Sequence, residues 1–261
     1  MELGIGGRTA IVLGAGSGIG RGVALALAAE GVRVACVSRT AANVEETVAR
    51  IRQTGGTACD FVWDMNAVED AHGLLSSVER CFGHADILFN NSGGPTRAAA
   101  SSVRPQEWEQ NFRSMFLSVV TLTQLVLPAM QAQKWGRIIT TTSSGAVTPI
   151  PDLVVSNTLR SGMHSWAKTL ATEVAAEGIT VNVLVPGRIA TERTRSIDTA
   201  RAHQNRLSVR EVETRSVQGI PAQRYGSVSE YAGAALFLAS EPASYITGTM
   251  LRVDGGMAAH L

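Results

Sequence analysis

Seven short runs rich in β-branched and apolar residues, at 9–13, 33–38, 58–63, 86–89, 137–141, 180–185 and 250–253, alternate with longer stretches of helical periodicity. Such alternation marks βαβ units, which build a parallel sheet covered by helices on both faces. The expected class is therefore α/β: a doubly wound parallel sheet of seven strands in a three-layer αβα sandwich. Helices are expected at 18–29, 42–54, 67–81, 105–133, 152–177 and 229–239. Nothing interrupts the rhythm enough to divide the 261 residues, so one domain spanning 1–261 is expected. The segment 188–224 is longer than a normal αβ connection and reads as a partly helical substrate lid. It holds eight Arg against four acids, a local excess of +4.

Composition removes several function classes. With 45% hydrophobic residues, 17% charged residues and a net charge of +1, the chain is neither disordered nor a polyanion binder. Nucleic acid is not expected as a partner, and a small-molecule substrate is. Cys36, Cys59 and Cys81 are odd in number and too widely spaced for a zinc knuckle, so they read as small buried thiols in a reducing cytosol. No signal segment and no membrane-spanning run is apparent, which makes the cytoplasm the expected location and a membrane an unexpected partner.

The first strand runs into Gly14-Ala15-Gly16-Ser17-Gly18-Ile19-Gly20 and then a helix. Glycines there let the backbone approach a pyrophosphate, and the helix N-terminus offers free N–H groups to the anion. A Rossmann-type dinucleotide site follows. The second strand ends Ser38-Arg39, with no carboxylate to take a ribose hydroxyl and a guanidinium suited to a 2′-phosphate, so NADP is expected over NAD.

These residues resemble the short-chain dehydrogenase/reductase family along nearly the whole chain, and in particular its 3-oxoacyl-acyl-carrier-protein reductases. Gly14-x-x-x-Gly18-x-Gly20 matches the family's glycine motif, with Leu13 where Thr is usual. Asn90-Asn91-Ser92-Gly93 is similar to its Asn-Asn-Ala-Gly signature, and Asp64 follows the third strand as the family's adenine-binding Asp does. Asn182-Val-Leu-Val-Pro186-Gly187 followed by Thr191 resembles the segment at the nicotinamide end. The resemblance implies a cofactor site made of Gly14, Gly16, Ser17, Gly18, Ile19, Gly20, Ser38, Arg39, Asp64, Met65, Asn91, Ser92, Gly93, Arg160, Pro186, Gly187, Ile189 and Thr191. It also implies a homodimer or homotetramer paired through the helices at 105–133 and 152–177, and catalytic roles for Asn111 and Ser143.

One position departs. The family's Tyr-x-x-x-Lys motif falls here on Ser156-Asn-Thr-Leu-Arg160. A phenol with a pKa of about 10 is a workable acid for an alkoxide, whereas an aliphatic hydroxyl is weaker and a ring shorter. Arg160 keeps the positive charge but is a poor proton shuttle at its ordinary pKa. The shortage runs through the chain: 21 of 23 basic residues are Arg, with Lys only at 134 and 168, and Tyr only at 225, 231 and 245. His164 and Asp152 lie four residues beyond Arg160 and before Ser156. His164 reads as a packed or interface residue before a catalytic one, and Asp152 as a partner of the helix dipole.

The leading expectation is an NAD(P)-dependent oxidoreductase moving a hydride between nicotinamide and a carbonyl or activated alkene. Its catalytic residues would be Asn111, Ser143, Ser156 and Arg160, with proton delivery through Ser156 and water or from solvent. The Arg-rich lid points to an acidic or acyl-thioester substrate. The alternatives are a dinucleotide-binding sensor or partner protein without turnover, and a non-redox lyase or isomerase on the same fold.

Overall fold

The computed structural model describes residues 2–259. Its strands are β1 (Thr9–Leu13), β2 (Arg33–Ser38), β3 (Thr57–Val62), β4 (Ile87–Asn90), β5 (Gly136–Thr141), β6 (Ile179–Pro186) and β7 (Met250–Val253). They form one parallel sheet in the order β3-β2-β1-β4-β5-β6-β7. Strands buried on both faces read as continuous apolar runs, as in Ala10 to Leu13 and Ile87 to Phe89. The order reverses between β1 and β4, which places the turns after those two strands side by side at a topological switch point.

Helices α1 (Gly18–Ala29), α2 (Ala41–Gln53) and α3 (Ala71–Phe82) follow the first three strands. After β4 come α4 (Pro105–Phe112), a π turn at Arg113–Leu117, and α5 (Ser118–Gln133). Then come α6 (Val154–Val174), α7 (Glu192–Asn205), α8 (Val209–Gln218) and α9 (Val228–Ala239). One face of the sheet buries Val23 and Leu27 of α1, Val48 of α2 and Leu238 of α9. The other buries Leu74 of α3, Leu122 and Val126 of α5, and Ala167 and Leu170 of α6. The three-layer expectation holds, and the 188–224 segment contains α7 and α8.

Several expectations need correction. The stretch 105–133 is one helical run interrupted by the π turn, and it is long and apolar enough to cross a membrane by length and composition, contrary to the sequence reading. Its Leu122, Val126 and Met130 pack beneath the sheet instead. The helix expected from 67 begins as a 3₁₀ turn at Val68–Asp70. Of the cysteines only Cys36 is buried; Cys59 is half-buried and Cys81 exposed. Burial, with help from the Asp60 charge, pushes the Cys36 thiol up to about 12, so it is inert near neutrality.

Candidate active site

The glycine turn is shaped by contacts that leave no room for side chains. A Cβ on Gly20 would overlap the Gly14 carbonyl, and one on Gly14 would lie 2.7 Å from the Asn91 carbonyl oxygen. A Cβ on Gly16 would come within 2.7 Å of the Ser38 hydroxyl, and one on Gly18, at φ +51°, would lie 3.4 Å from the Thr191 side chain. Thus the turn after β1 gathers the ends of β2, β4 and β6 around itself. Helix α1 opens there with Ser17 as N-cap and no acidic residue in its first turn, so its amides and dipole face an anion without competition. Arg39 is exposed and has no ion pair among the described residues. The Asp64 carboxylate, exposed after β3, accepts from the Asn66 backbone and amide. The Pro186-Gly187 turn crosses Asp254, whose Cα leaves 2.6 Å for a Cβ on Gly187. These features fit a dinucleotide: a backbone cradle for the diphosphate, a free guanidinium for a ribose phosphate and a free carboxylate oxygen for the adenine amino group.

Beside the cradle, at the C-terminal ends of β4 and β5, lies the departed motif. Ser156 and Arg160 stand one turn apart on the buried side of α6, 9% and 5% exposed. The Arg160 guanidinium donates to the Thr141 carbonyl at 2.9 Å and to the Ser92 and Gly93 carbonyls at 3.0 and 2.9 Å. It therefore ties the end of β5 to the loop after β4. Burial first, and the Arg193 charge second, pull its pKa down to about 10, so it remains a cation at neutral pH. The Ser156 hydroxyl makes no hydrogen bond among the described residues, whereas Ser143 caps a 3₁₀ turn, its oxygen accepting from the Gly145 amide at 3.1 Å.

Asn111 donates to the Glu107 carbonyl at 2.7 Å, just before the helix widens into its π turn, a distortion frequent at functional sites. Its amide oxygen stays open as an acceptor. None of the three tyrosines supplies a phenol in place of Ser156. Tyr225 donates to Asp198 at 3.0 Å, Tyr245 is fully exposed, and Tyr231 is buried under the sheet donating to Thr141 Oγ1 at 3.2 Å. Burial raises the Tyr231 pKa far above that of a free phenol.

His164 is also spoken for. Its Nε2 lies 2.8 Å from the Thr142 hydroxyl, and burial first and Arg160 second lower its pKa. The packed reading of His164 fits this contact. A cavity of about 530 Å³ between α6, β6 and β7 is lined by His164 and Lys168 but by none of Ser143, Ser156 and Arg160. Asp152 lies before the helix rather than in its first turn, because its φ of +60° breaks the chain there. It is exposed and 3.7 Å from Arg97, so neither the dipole role nor the shared face with Ser156 holds.

Sequence reasoning missed the acceptors of Arg160. They are backbone carbonyls from segments 19 and 67 to 68 residues away, and carbonyls leave no side-chain signature. It also missed the link at the start of the 188–224 segment, where Arg188 pairs with the fully buried Asp198 and lies 5.0 Å from the Tyr225 ring centre.

Comparison with known proteins agrees with this geometry. Residues 14–258 match the family model described as enoyl-(acyl carrier protein) reductase. The chain is 34% identical to the Escherichia coli 3-oxoacyl-[acyl-carrier-protein] reductase FabG, over 96% of this chain and 97% of that one. It is 30% identical to the Bacillus subtilis NADPH-dependent reductase BacG, over 95% and 97%. Among solved structures, L-sorbose reductase from Gluconobacter frateurii with NADPH and L-sorbose superposes with a TM-score of 0.95, at 30% identity and full coverage of both chains.

Proposed function

The chain belongs to the short-chain dehydrogenase/reductase family, and from that premise we propose how its altered site carries out the chemistry. It is an NADP-dependent oxidoreductase acting on a small-molecule carbonyl substrate. The readings without turnover or without redox chemistry are not favoured, since these relatives are named reductases. NADPH, when bound, would supply hydride-transfer chemistry for a carbonyl.

The chain's own residues do the rest. The Gly14 to Gly20 turn and the α1 N-terminus hold the diphosphate, Arg39 takes the ribose phosphate, and Asp64, Met65 and Asn91 flank the adenosine. Pro186, Gly187, Ile189 and Thr191 border the nicotinamide end, together with Ser92 and Gly93. The Ser143 hydroxyl donates a hydrogen bond to the carbonyl oxygen and keeps its proton, while its own oxygen remains held by the Gly145 amide. Arg160 stands as a fixed, desolvated cation near the place where negative charge develops, and a preorganised charge there needs no rearrangement as the reaction proceeds. Ser156 and a water complete the proton path, and the open amide oxygen of Asn111 anchors that water from the α4 side. The substrate carries an acidic or acyl-thioester group, the 188–224 segment closes over it as a lid, and the domain spans the chain. In this reading the protein works in the cytoplasm and pairs through α5 and α6 into dimers or tetramers.

The observation that carries the reading is the buried cation of Arg160, held by the Thr141 carbonyl at the end of β5 and by the Ser92 and Gly93 carbonyls after β4. The test is the nicotinamide absorbance of NADPH mixed with a panel of carbonyl compounds and enones. Oxidation with at least one member is expected. Tight NADPH binding with no oxidation across the panel would overturn it.

A further inference from the structure

Arg160 is a buried charge that no acid answers. All three of its hydrogen bonds end on neutral carbonyls, and no carboxylate among the described residues pairs with it. A second cation adds to the imbalance. Arg193, in the first turn of α7, lays its guanidinium against Gly94 so closely that a Cβ there would overlap it. Its charge is felt at Arg160, where it ranks second to burial in lowering the pKa. Arg193 has no ion pair of its own among the described residues. Beside them the Ser92 hydroxyl is buried without a partner.

A buried cation costs free energy unless something neutralises it, and a like charge nearby raises that cost. An oxyanion bound against both guanidiniums removes the penalty and gains charge-assisted hydrogen bonds. Two sources of oxyanion meet this cleft, the cofactor's diphosphate and an acid group on the substrate. The placement separates them. Thr191 stands where a Cβ on Gly18 of the diphosphate cradle would meet it, whereas the Arg193 guanidinium, two residues later, lies against Gly94, next to the Gly93 carbonyl that Arg160 holds.

We propose that Arg193 and Arg160 form a two-guanidinium site for a carboxylate attached to, or one carbon removed from, the carbonyl under reduction. The substrates are then 2-oxo or 3-oxo acids rather than neutral ketones or thioesters. This rests on the reading above that the carbonyl binds beside Arg160. Arg193, carried by the lid helix, selects the acid and draws α7 over it.

The experiment compares pyruvate, 2-oxobutyrate and acetoacetate with their methyl esters, in the wild type, Arg193→Ala and Arg193→Lys. The expected wild-type preference in kcat/KM for acid over ester is about 100-fold, the size of a lost charge-assisted contact. Arg193→Ala lowers that ratio at least about tenfold, mainly through KM for the acids, and Arg193→Lys restores part of it. Oxalate, which cannot be reduced, gives a readout independent of turnover: its Kd for the NADPH complex rises about tenfold in Arg193→Ala. NADPH itself binds the variant within about twofold of wild type.

An acid-to-ester ratio unchanged by Arg193→Ala overturns the proposal. So does weakened NADPH binding with no effect on oxalate, which would assign Arg193 to the diphosphate. If the esters are reduced and the acids are no better, the proposal fails while the carbonyl-reductase reading stands. If no compound oxidises NADPH, that reading fails first.

Discussion

Two arginines are buried at opposite ends of the sheet, and they are treated in opposite ways. Arg137, 1% exposed at the start of β5, stacks 4.3 Å from the Trp135 ring centre and lies 3.5 Å from the Glu241 carboxylate. It also donates to the Ser240, Gly136 and Gly178 carbonyls. Arg160, beyond the far end of the same strand, has as many carbonyls but no carboxylate and no ring. Burial lowers both pKa values, and each has an arginine nearby that lowers it further, Arg8 at Arg137 and Arg193 at Arg160, but only Arg137 has a carboxylate, Glu241, to oppose this. The first charge is satisfied within the protein, as a structural group must be. The second is held in place but left electrically open, which is what a group waiting for a negatively charged oxygen requires.

The sharpest test of that contrast is Arg160→Gln. The amide can still donate to the loop carbonyls, so the protein should fold, but single-turnover NADPH oxidation should slow by about 10²- to 10³-fold, in the range for removing one oxyanion-stabilising donor. A stopped-flow comparison checks it. The converse variant, Arg137→Gln, should cost about 2–4 kcal/mol of stability in urea melts, because it leaves a carboxylate and carbonyls short of partners. Its turnover per folded molecule should be unchanged.

A third arginine tests whether an available charge works when it is not buried. Arg39 is exposed at the end of β2. Arg39→Ala should weaken NADPH about tenfold and leave NADH nearly unaffected, read by nicotinamide fluorescence, since an exposed contact to phosphate is screened by solvent.

The smallest effect is expected at His164. Losing its bond to Thr142 in His164→Ala should cost about 1 kcal/mol. The pH dependence has a definite sign. Burial lowers the His164 pKa in the folded protein, so the unfolded chain takes up the proton first as pH falls through its ordinary value of about 6.5. Stability is thus full above that value and declines below it, and the variant should lose this part of the acid-side decline in thermal melts at a series of pH values.

These contrasts also explain what the sequence could disclose. The cradle was legible because its constraint is steric and local: glycines between an apolar strand and an amphipathic helix leave few alternatives. The strands were legible for the same reason, and counting residues put Ser156 and Arg160 one turn apart on a single helix, as they are on α6. The N-terminus of α6 was misread because an acid before a helix ordinarily caps it, while Asp152 takes a left-handed backbone and faces Arg97, 55 residues earlier in the chain. Cys81 was misread as buried because α3 has an exposed side as well as a buried one, and Cys81 lies on the exposed side. The difference between Arg137 and Arg160 was invisible, since it depends on whether a distant acid arrives, and Glu241 arrives from 104 residues away.

The central claim is that a buried guanidinium, rather than a titrating phenol or imidazole, holds the charge on the reduced oxygen. The rate of single-turnover hydride transfer across pH tests it most directly. With Arg160 titrating at about 10, the rate should stay flat from about pH 6 to 9 and fall as pH rises through about 10, where the guanidinium loses its proton. A limb centred near neutral pH, with no loss on the alkaline side, would contradict the account and return the acid role to a histidine.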